Sequence, residues 1–151
     1  MIYIGIDPGQ SGAIAFVSDE WIEAIPFAKT TPRDISEVIH EVFKYEPDEQ
    51  MHAFIEQVNA MPGQGVSSTF KFGVNYGLWQ GLLTACGVPF ERVTPAKWQT
   101  AMRCRSGGDK NITKRAAQEL FPDLKIIHAT ADALLIAEYC RRTVASRDPE
   151  S

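Results

Sequence analysis

The sequence predicts an α/β domain built on a five-stranded mixed sheet with helices on both faces. Short runs of β-branched and aromatic residues read as strands. Segments with apolar residues at helical spacing, two of them opened by a Thr-Pro pair, alternate with the later strands. The first three strands follow one another across short turns and are expected to form an antiparallel meander. The later two, each reached through a helix, are expected to run parallel to the first.

Ile2-Tyr3-Ile4-Gly5-Ile6-Asp7 is the first strand, and Pro8-Gly9 forces a turn after it. Gly12 to Val17 returns as the second strand of a hairpin, and Trp21 to Phe27 is the third. Thr31 caps a helix with Pro32 at its first position. Ile35, Val38, Ile39, Val42 and Phe43 recur along it, and Pro47 closes it. Met51-His52-Ala53-Phe54-Ile55-Glu56 is a largely apolar strand expected near the centre of the sheet.

A loop over 59–67 leads into a helix from about Thr69 to Cys86, for which Ser67 or Ser68 is the expected cap. Gly73, Gly77, Gly81 and Ala85 recur in it every four residues. A helical glycine costs roughly 1 kcal/mol against alanine. Such a row signals close backbone approach, either to the chain's own sheet and helices or to a second subunit. Phe90 to Val93 is a short fifth strand, and Thr94-Pro95 opens a helix carrying Lys97 and Trp98. After the flexible Ser106-Gly107-Gly108, helices are expected over Thr113–Phe121 and Thr130–Arg142.

The 151 residues amount to about one domain, expected over 1–145 with a short tail at 146–151. With 44% hydrophobic and 23% charged residues, the composition suits a packed globular core. No apolar run reaches the length of a membrane span, and no basic, cleavable leader follows Met1. Cys86, Cys104 and Cys140 are odd in number and widely spaced. That pattern fits reduced thiols in a cytoplasm rather than a disulfide framework or zinc knuckle.

A net charge of −4 argues on average against a nucleic-acid partner. The distribution argues otherwise. Residues 97–115 hold Lys97, Arg103, Arg105, Lys110, Lys114 and Arg115 against Asp109 alone, a local +5, so the rest of the chain carries −9. A basic patch on an acidic body can still bind phosphates. A merely solvated surface is the alternative.

Asp7 and Glu56 each end a buried strand. If those strands are parallel neighbours, the two side chains meet at the sheet's carboxyl edge, where open α/β sheets place their chemistry. Asp132 lies in the first turn expected of the last helix, where the dipole alone would favour it. His128 precedes it by four residues; the two share a face if the helix begins near His128, and His128 sits on the preceding loop if it begins at Thr130. Carboxylates brought together raise one another's pKa, and a divalent cation removes that cost. Mg²⁺ suits oxygen ligands and binds through one or two carboxylates, waters and substrate phosphate. Two ions about 3.5–4 Å apart would clamp both oxygens of a phosphodiester under attack.

Gly5-Ile6-Asp7-Pro8-Gly9, Ile55-Glu56-Gln57-Val58 and Ala131-Asp132-Ala133-Leu134-Leu135-Ile136-Ala137 carry a resemblance. Pro95-Ala96-Lys97-Trp98 and Asp109-Lys110 lie between them. In this order, over nearly the whole chain, they resemble RuvC-type Holliday-junction resolvases of the compact bacteriophage kind, within the RNase H-like superfamily. The resemblance implies an RNase H-like fold and a homodimeric, Mg²⁺-dependent endonuclease that nicks a four-way DNA junction symmetrically. Two Mg²⁺ ions per site are implied, with Mn²⁺ able to substitute. Asp7, Glu56 and Asp132 match the family's metal-binding carboxylates. His128 falls at a fourth ligand position that is often Asp, as a ligand or a proton donor. Lys110 and Lys97 match phosphate-holding positions, and Arg103, Arg105 and Lys114 would extend the DNA track. Bacterial members carry an aromatic wedge where this chain has Asn59, so Met61, Phe70 and Phe72 are the candidates for that part.

Three other readings share some of these features. A non-catalytic junction-binding protein would share the basic patch. An RNase H-like nuclease acting on other branched or hybrid nucleic acids would share the carboxylates. An actin-like kinase is suggested by the first turn alone and needs a second such domain.

Overall fold

The structure, a computed structural model, describes residues 1–28, 30–45, 49–57, 59, 63 and 65–147. Its strands are β1 (Ile2–Asp7), β2 (Ala13–Val17), β3 (Ile22–Pro26), β4 (Met51–Glu56) and β5 (Phe90–Val93). They form one sheet in the order β3-β2-β1-β4-β5. β1 pairs antiparallel with β2, and β2 with β3. β4 runs parallel to β1 and β5 parallel to β4. This is the expected meander with its two-strand parallel extension.

Side chains alternate across a strand, so the sheet separates two cores. Ile2, Ile4, Ile6, Ile14, Phe16, Met51, Ala53 and Ile55 pack with α1 (Pro32–Tyr45) and α2 (Val66–Ala85). Ala13, Ala15, Val17, Phe54 and Val93 face the other way. They pack in the core shared by α3 (Pro95–Ala101), α4 (Lys110–Leu120) and α5 (His128–Ala145). By the same alternation Asp7 and Glu56 fall on the α5 side.

Gly5 sets how closely α5 approaches. A Cβ built there would lie 2.1 Å from the Ala133 carbonyl oxygen and 2.3 Å from the Ala137 nitrogen. Only glycine lets the α5 backbone lie directly on β1, with Ala133 and Ala137 as the small residues above it.

Several boundaries differ from the sequence-based expectations. α2 begins at Val66, capped by the Gly65 backbone and not by Ser67 or Ser68. α4 begins at Lys110 rather than Thr113, because Asp109 Oδ1 accepts the Asn111 N–H at 2.9 Å. α5 begins at His128, the earlier of the two starts open in the sequence. The Thr130 hydroxyl closes its first turn, donating to the Ile127 carbonyl at 3.2 Å and accepting the Ile127 N–H at 3.3 Å. Asp132 therefore lies in the second turn, where the helix dipole has largely faded. Thr31 opens α1 as expected, with Asp34 Oδ2 accepting its N–H at 2.6 Å and its hydroxyl at 2.8 Å. Pro47, Val58, Met61 and the last four residues of the tail lie outside the described residues.

The glycine row on α2 makes no close approach within the chain. Among the described residues, nothing lies within 4 Å of a Cβ at Gly73, Gly77 or Gly81. The opposite side of the helix is the packed one, where Trp79 stacks on Phe27 at 4.2 Å and Leu83 is buried. All three cysteines are free. Burial raises their thiol pKa values, that of Cys104 to about 11, so they are neutral. Glu138 is a buried carboxylate that the sequence did not flag, neutralised by Arg141 and Arg142, each with Nε at 2.8 Å. Among the described residues no helix is long and apolar enough to cross a membrane.

Candidate active site

Each carboxylate is brought to the site by a different element. Ile6 is in register with Ile55, so the next residues, Asp7 and Glu56, leave the sheet side by side on neighbouring parallel strands. α5 crosses β1 at Gly5 and carries Asp132 to the same edge. His128 opens α5 one turn before Asp132, so the two share a helix face.

The three carboxylates sense one another. Burial is the largest influence on Asp7 and raises its pKa; the Gly9 N–H, donated to Oδ1 at 3.1 Å, opposes it, and the Asp132 charge reinforces it. Glu56 is pushed up to about 7, first by burial and then by the charge of Asp7, with Asp132 adding to it. Burial also raises Asp132, opposed by Thr113, Lys110 and His128. Lys110, at the start of α4, lowers all three and is the cation common to them.

One buried donor orients Glu56, and one hydroxyl lies near Asp132. The Trp98 indole N–H donates to Glu56 Oε1 at 2.9 Å. The Thr113 hydroxyl lies close enough to Asp132 to draw its pKa down, yet its proton is directed at the Lys110 carbonyl at 3.3 Å. Asp132 Oδ1 is consequently buried without a hydrogen-bond partner among the described residues. An orphaned carboxylate oxygen inside a protein is costly unless something positive completes it.

A divalent cation fits this donor set. It would relieve the mutual repulsion that raises Glu56, and it would complete Asp132 Oδ1. Among the described residues no group of three or more Asp, Glu, His or Cys side chains stands close enough together to hold a metal ion by itself. Mg²⁺ does not require such a group, because it keeps several waters and takes phosphate oxygens from its substrate.

Most of the basic residues of 97–115 are exposed. Lys97 is exposed on α3, Arg103 and Arg105 on the loop after it, and Lys110 at the head of α4; Lys114 is half-buried. Arg103 adopts a left-handed backbone, φ 55°, and Cys104 beside it is buried, its N–H donated to the Gln99 carbonyl at 2.9 Å. The buried Cys104 thus pins the loop and turns both arginines outward. Of the aromatic candidates for a wedge, Phe70 is 71% exposed near the start of α2. Phe72 lies beside the turn after β1, 3.9 Å from where a Gly9 Cβ would stand. The role of Trp98 as a donor to Glu56 was not evident from the sequence. Nothing local marks a buried indole as the partner of a glutamate 42 residues away.

No family model and no curated protein sequence matches the chain. Solved structures do. One is of Thermus thermophilus RuvC in complex with a Holliday junction substrate. It superposes with a TM-score of 0.61 at 18% identity, over 97% of this chain and 95% of that one. A second, also of T. thermophilus RuvC, gives 0.60 at 18% identity over 95% and 97%. The strand order, the mixed sheet and the helices on both faces are those of the RuvC-type, RNase H-like fold.

Proposed function

We propose that this RuvC-type fold serves as a structure-selective DNA endonuclease that resolves four-way junctions by paired symmetric nicks. The observation that carries the reading is the meeting of Asp7, Glu56 and Asp132 at one sheet edge, with raised pKa values and Lys110 beside them. Repelling carboxylates next to an exposed lysine make a place for a divalent cation and a phosphodiester together. Asp7, Glu56 and Asp132 hold Mg²⁺, two ions per site, with Mn²⁺ as a substitute. His128 is the fourth member, and an imidazole there favours Mn²⁺ more than a carboxylate would. When bound, the metal supplies an activated water and charge neutralisation at the scissile phosphate. The chain's own residues place the carboxylates, exclude water from the core beneath them and hold the DNA backbone. Lys97, Arg103, Arg105, Lys110 and Lys114 bind phosphates, which position the substrate without specifying sequence.

The α2 surface supports a homodimer. α2 is apolar around most of its circumference, yet only one side is packed. Val66, Phe70 and Val74 are 87%, 71% and 53% exposed, and the row Gly73, Gly77, Gly81 is open. A helix apolar all round is normally covered, and glycines on such a face let a second backbone come close. Two sites related by a dyad account for paired cuts on a twofold junction.

The test is Asp7→Asn on a labelled synthetic four-way junction. Nicking with Mg²⁺ is expected to vanish while junction binding in EDTA persists. Nicking that survives the substitution refutes the metal assignment. Preferential cleavage of flaps or RNA–DNA hybrids by the wild-type protein would favour a related nuclease on another substrate.

A further inference from the structure

Trp98 is more than a core residue that happens to lie near the site. It is fully buried in the α5-side core, and its one polar atom points out of that core. Nε1 donates to Glu56 Oε1 at 2.9 Å, the length of a good charge-assisted bond. The path that puts it there is short. β5 pairs with β4 in register up to Glu56–Val93, and the ladder continues with the Gln57 N–H donated to the Val93 carbonyl at 2.7 Å. The chain then turns at once into α3. Thr94 caps it, its hydroxyl accepting the Lys97 N–H at 3.3 Å and its carbonyl accepting the Trp98 N–H at 3.2 Å. The first turn of α3 is thereby locked to the strand end that carries Glu56.

We infer that Trp98 is a positioning residue: its indole N–H holds one oxygen of Glu56 so that the other faces the site for a divalent cation. The inference rests on the metal-nuclease reading above. Among the described residues Glu56 Oε1 accepts Trp98, while no partner competes for Oε2. A buried indole N–H needs an acceptor, and a glutamate with two rotatable bonds beyond Cβ needs an anchor to present one oxygen reproducibly. Partners of this kind behind a metal ligand typically change metal affinity 10–100-fold when removed. The same helix exposes Lys97, so one capped turn places both the anchor behind Glu56 and a cation for the DNA backbone.

The test measures Mn²⁺ binding by titration calorimetry in wild type, Trp98→Phe, Glu56→Gln and the double variant, without DNA. Trp98→Phe keeps a buried aromatic ring and removes the donor. About tenfold weaker Mn²⁺ binding is expected from it, with no further loss when Glu56 is already Gln. An additive loss in the double variant would mean that Trp98 acts through the core and not through Glu56, and would overturn the inference. A readout that leaves Trp98 in place covers the case in which Trp98→Phe fails to fold. The Trp98 indole N–H resonance, assigned by elimination with Trp21→Phe and Trp79→Phe, should move most of the three on Mg²⁺ titration. An unmoved signal at saturating Mg²⁺ overturns the inference. Wild-type affinity in a folded Trp98→Phe sinks the inference alone. A wild-type protein that takes up no Mn²⁺ and leaves the junction uncut sinks the nuclease reading as well.

Discussion

Gly5→Ala is the smallest change that should damage both the fold and the site. The added methyl would lie 2.1 Å from the Ala133 oxygen, 2.3 Å from the Ala137 nitrogen and 2.9 Å from the Ala137 Cα, where ordinary contact begins near 3.4 Å. All three obstacles are backbone, so no rotamer change relieves them. Either α5 retreats from β1 by more than an ångström or β1 buckles. Retreat opens the core around Ala133, Leu134, Ile136 and Ala137, all of them fully or almost fully buried. Overpacking typically costs about 1–3 kcal/mol, and rigid backbone on every side puts this case at the upper end. At roughly 2–4 °C per kcal/mol for a chain of this size, the melting temperature should fall by about 6–12 °C. Because α5 carries Asp132, the displacement also shifts that carboxylate relative to Asp7, and an error of about 1 Å in a reacting site can cost on the order of 100-fold in rate. Thermal melting by circular dichroism in EDTA isolates the fold effect. Gly73→Ala supplies the control at a protein concentration where any dimer is dissociated, since its methyl meets nothing within the described chain and should stabilise the helix by up to about 1 kcal/mol. A Gly5→Ala protein that melts within about 2 °C of wild type would refute the account of how α5 is seated.

Two further outcomes follow from the site and the open helix face. Glu56 has its pKa raised from an ordinary 4.5 to about 7, so between those values the folded chain keeps a proton that the unfolded chain has released. Its stabilising contribution is complete below 4.5 and lost as pH rises through 7. Metal-free protein should therefore melt lower at pH 8 than at pH 5, and Glu56→Gln should flatten part of that slope; identical pH profiles for the two proteins would count against a buried, repelled Glu56. On α2, Gly77→Leu places a bulky side chain where nothing within the described chain stands in its way, so the monomer should fold normally. Sedimentation equilibrium should show at least a tenfold weaker dimer, and an undiminished dimer would move the interface elsewhere.

Much of the fold was legible in the sequence because local chemistry fixes it. β-branched runs gave the five strands, Thr-Pro pairs marked the starts of α1 and α3, and short turns dictated the antiparallel meander. Asp7 and Glu56 were legible as a pair because side chains alternate along strands and the parallel register sets both on one face. Other features depend on atoms distant in the chain. The glycine row of α2 makes no close approach within the described chain; that backbone contact is at Gly5, which local sequence marks only as a glycine in a strand. Periodicity records that small residues are needed, not what lies opposite them. The start of α5, open between His128 and Thr130 in the sequence, lies at His128 because the Thr130 hydroxyl reaches back to Ile127, a bond that apolar spacing does not encode. The sequence by itself determined the strands, the helices and which carboxylates face one way. Only the tertiary structure decided that Trp98 and Lys110 serve those carboxylates and that Asp132 Oδ1 is left unpartnered, because hydrogen bonds and charge coupling depend on distance in space and not along the chain.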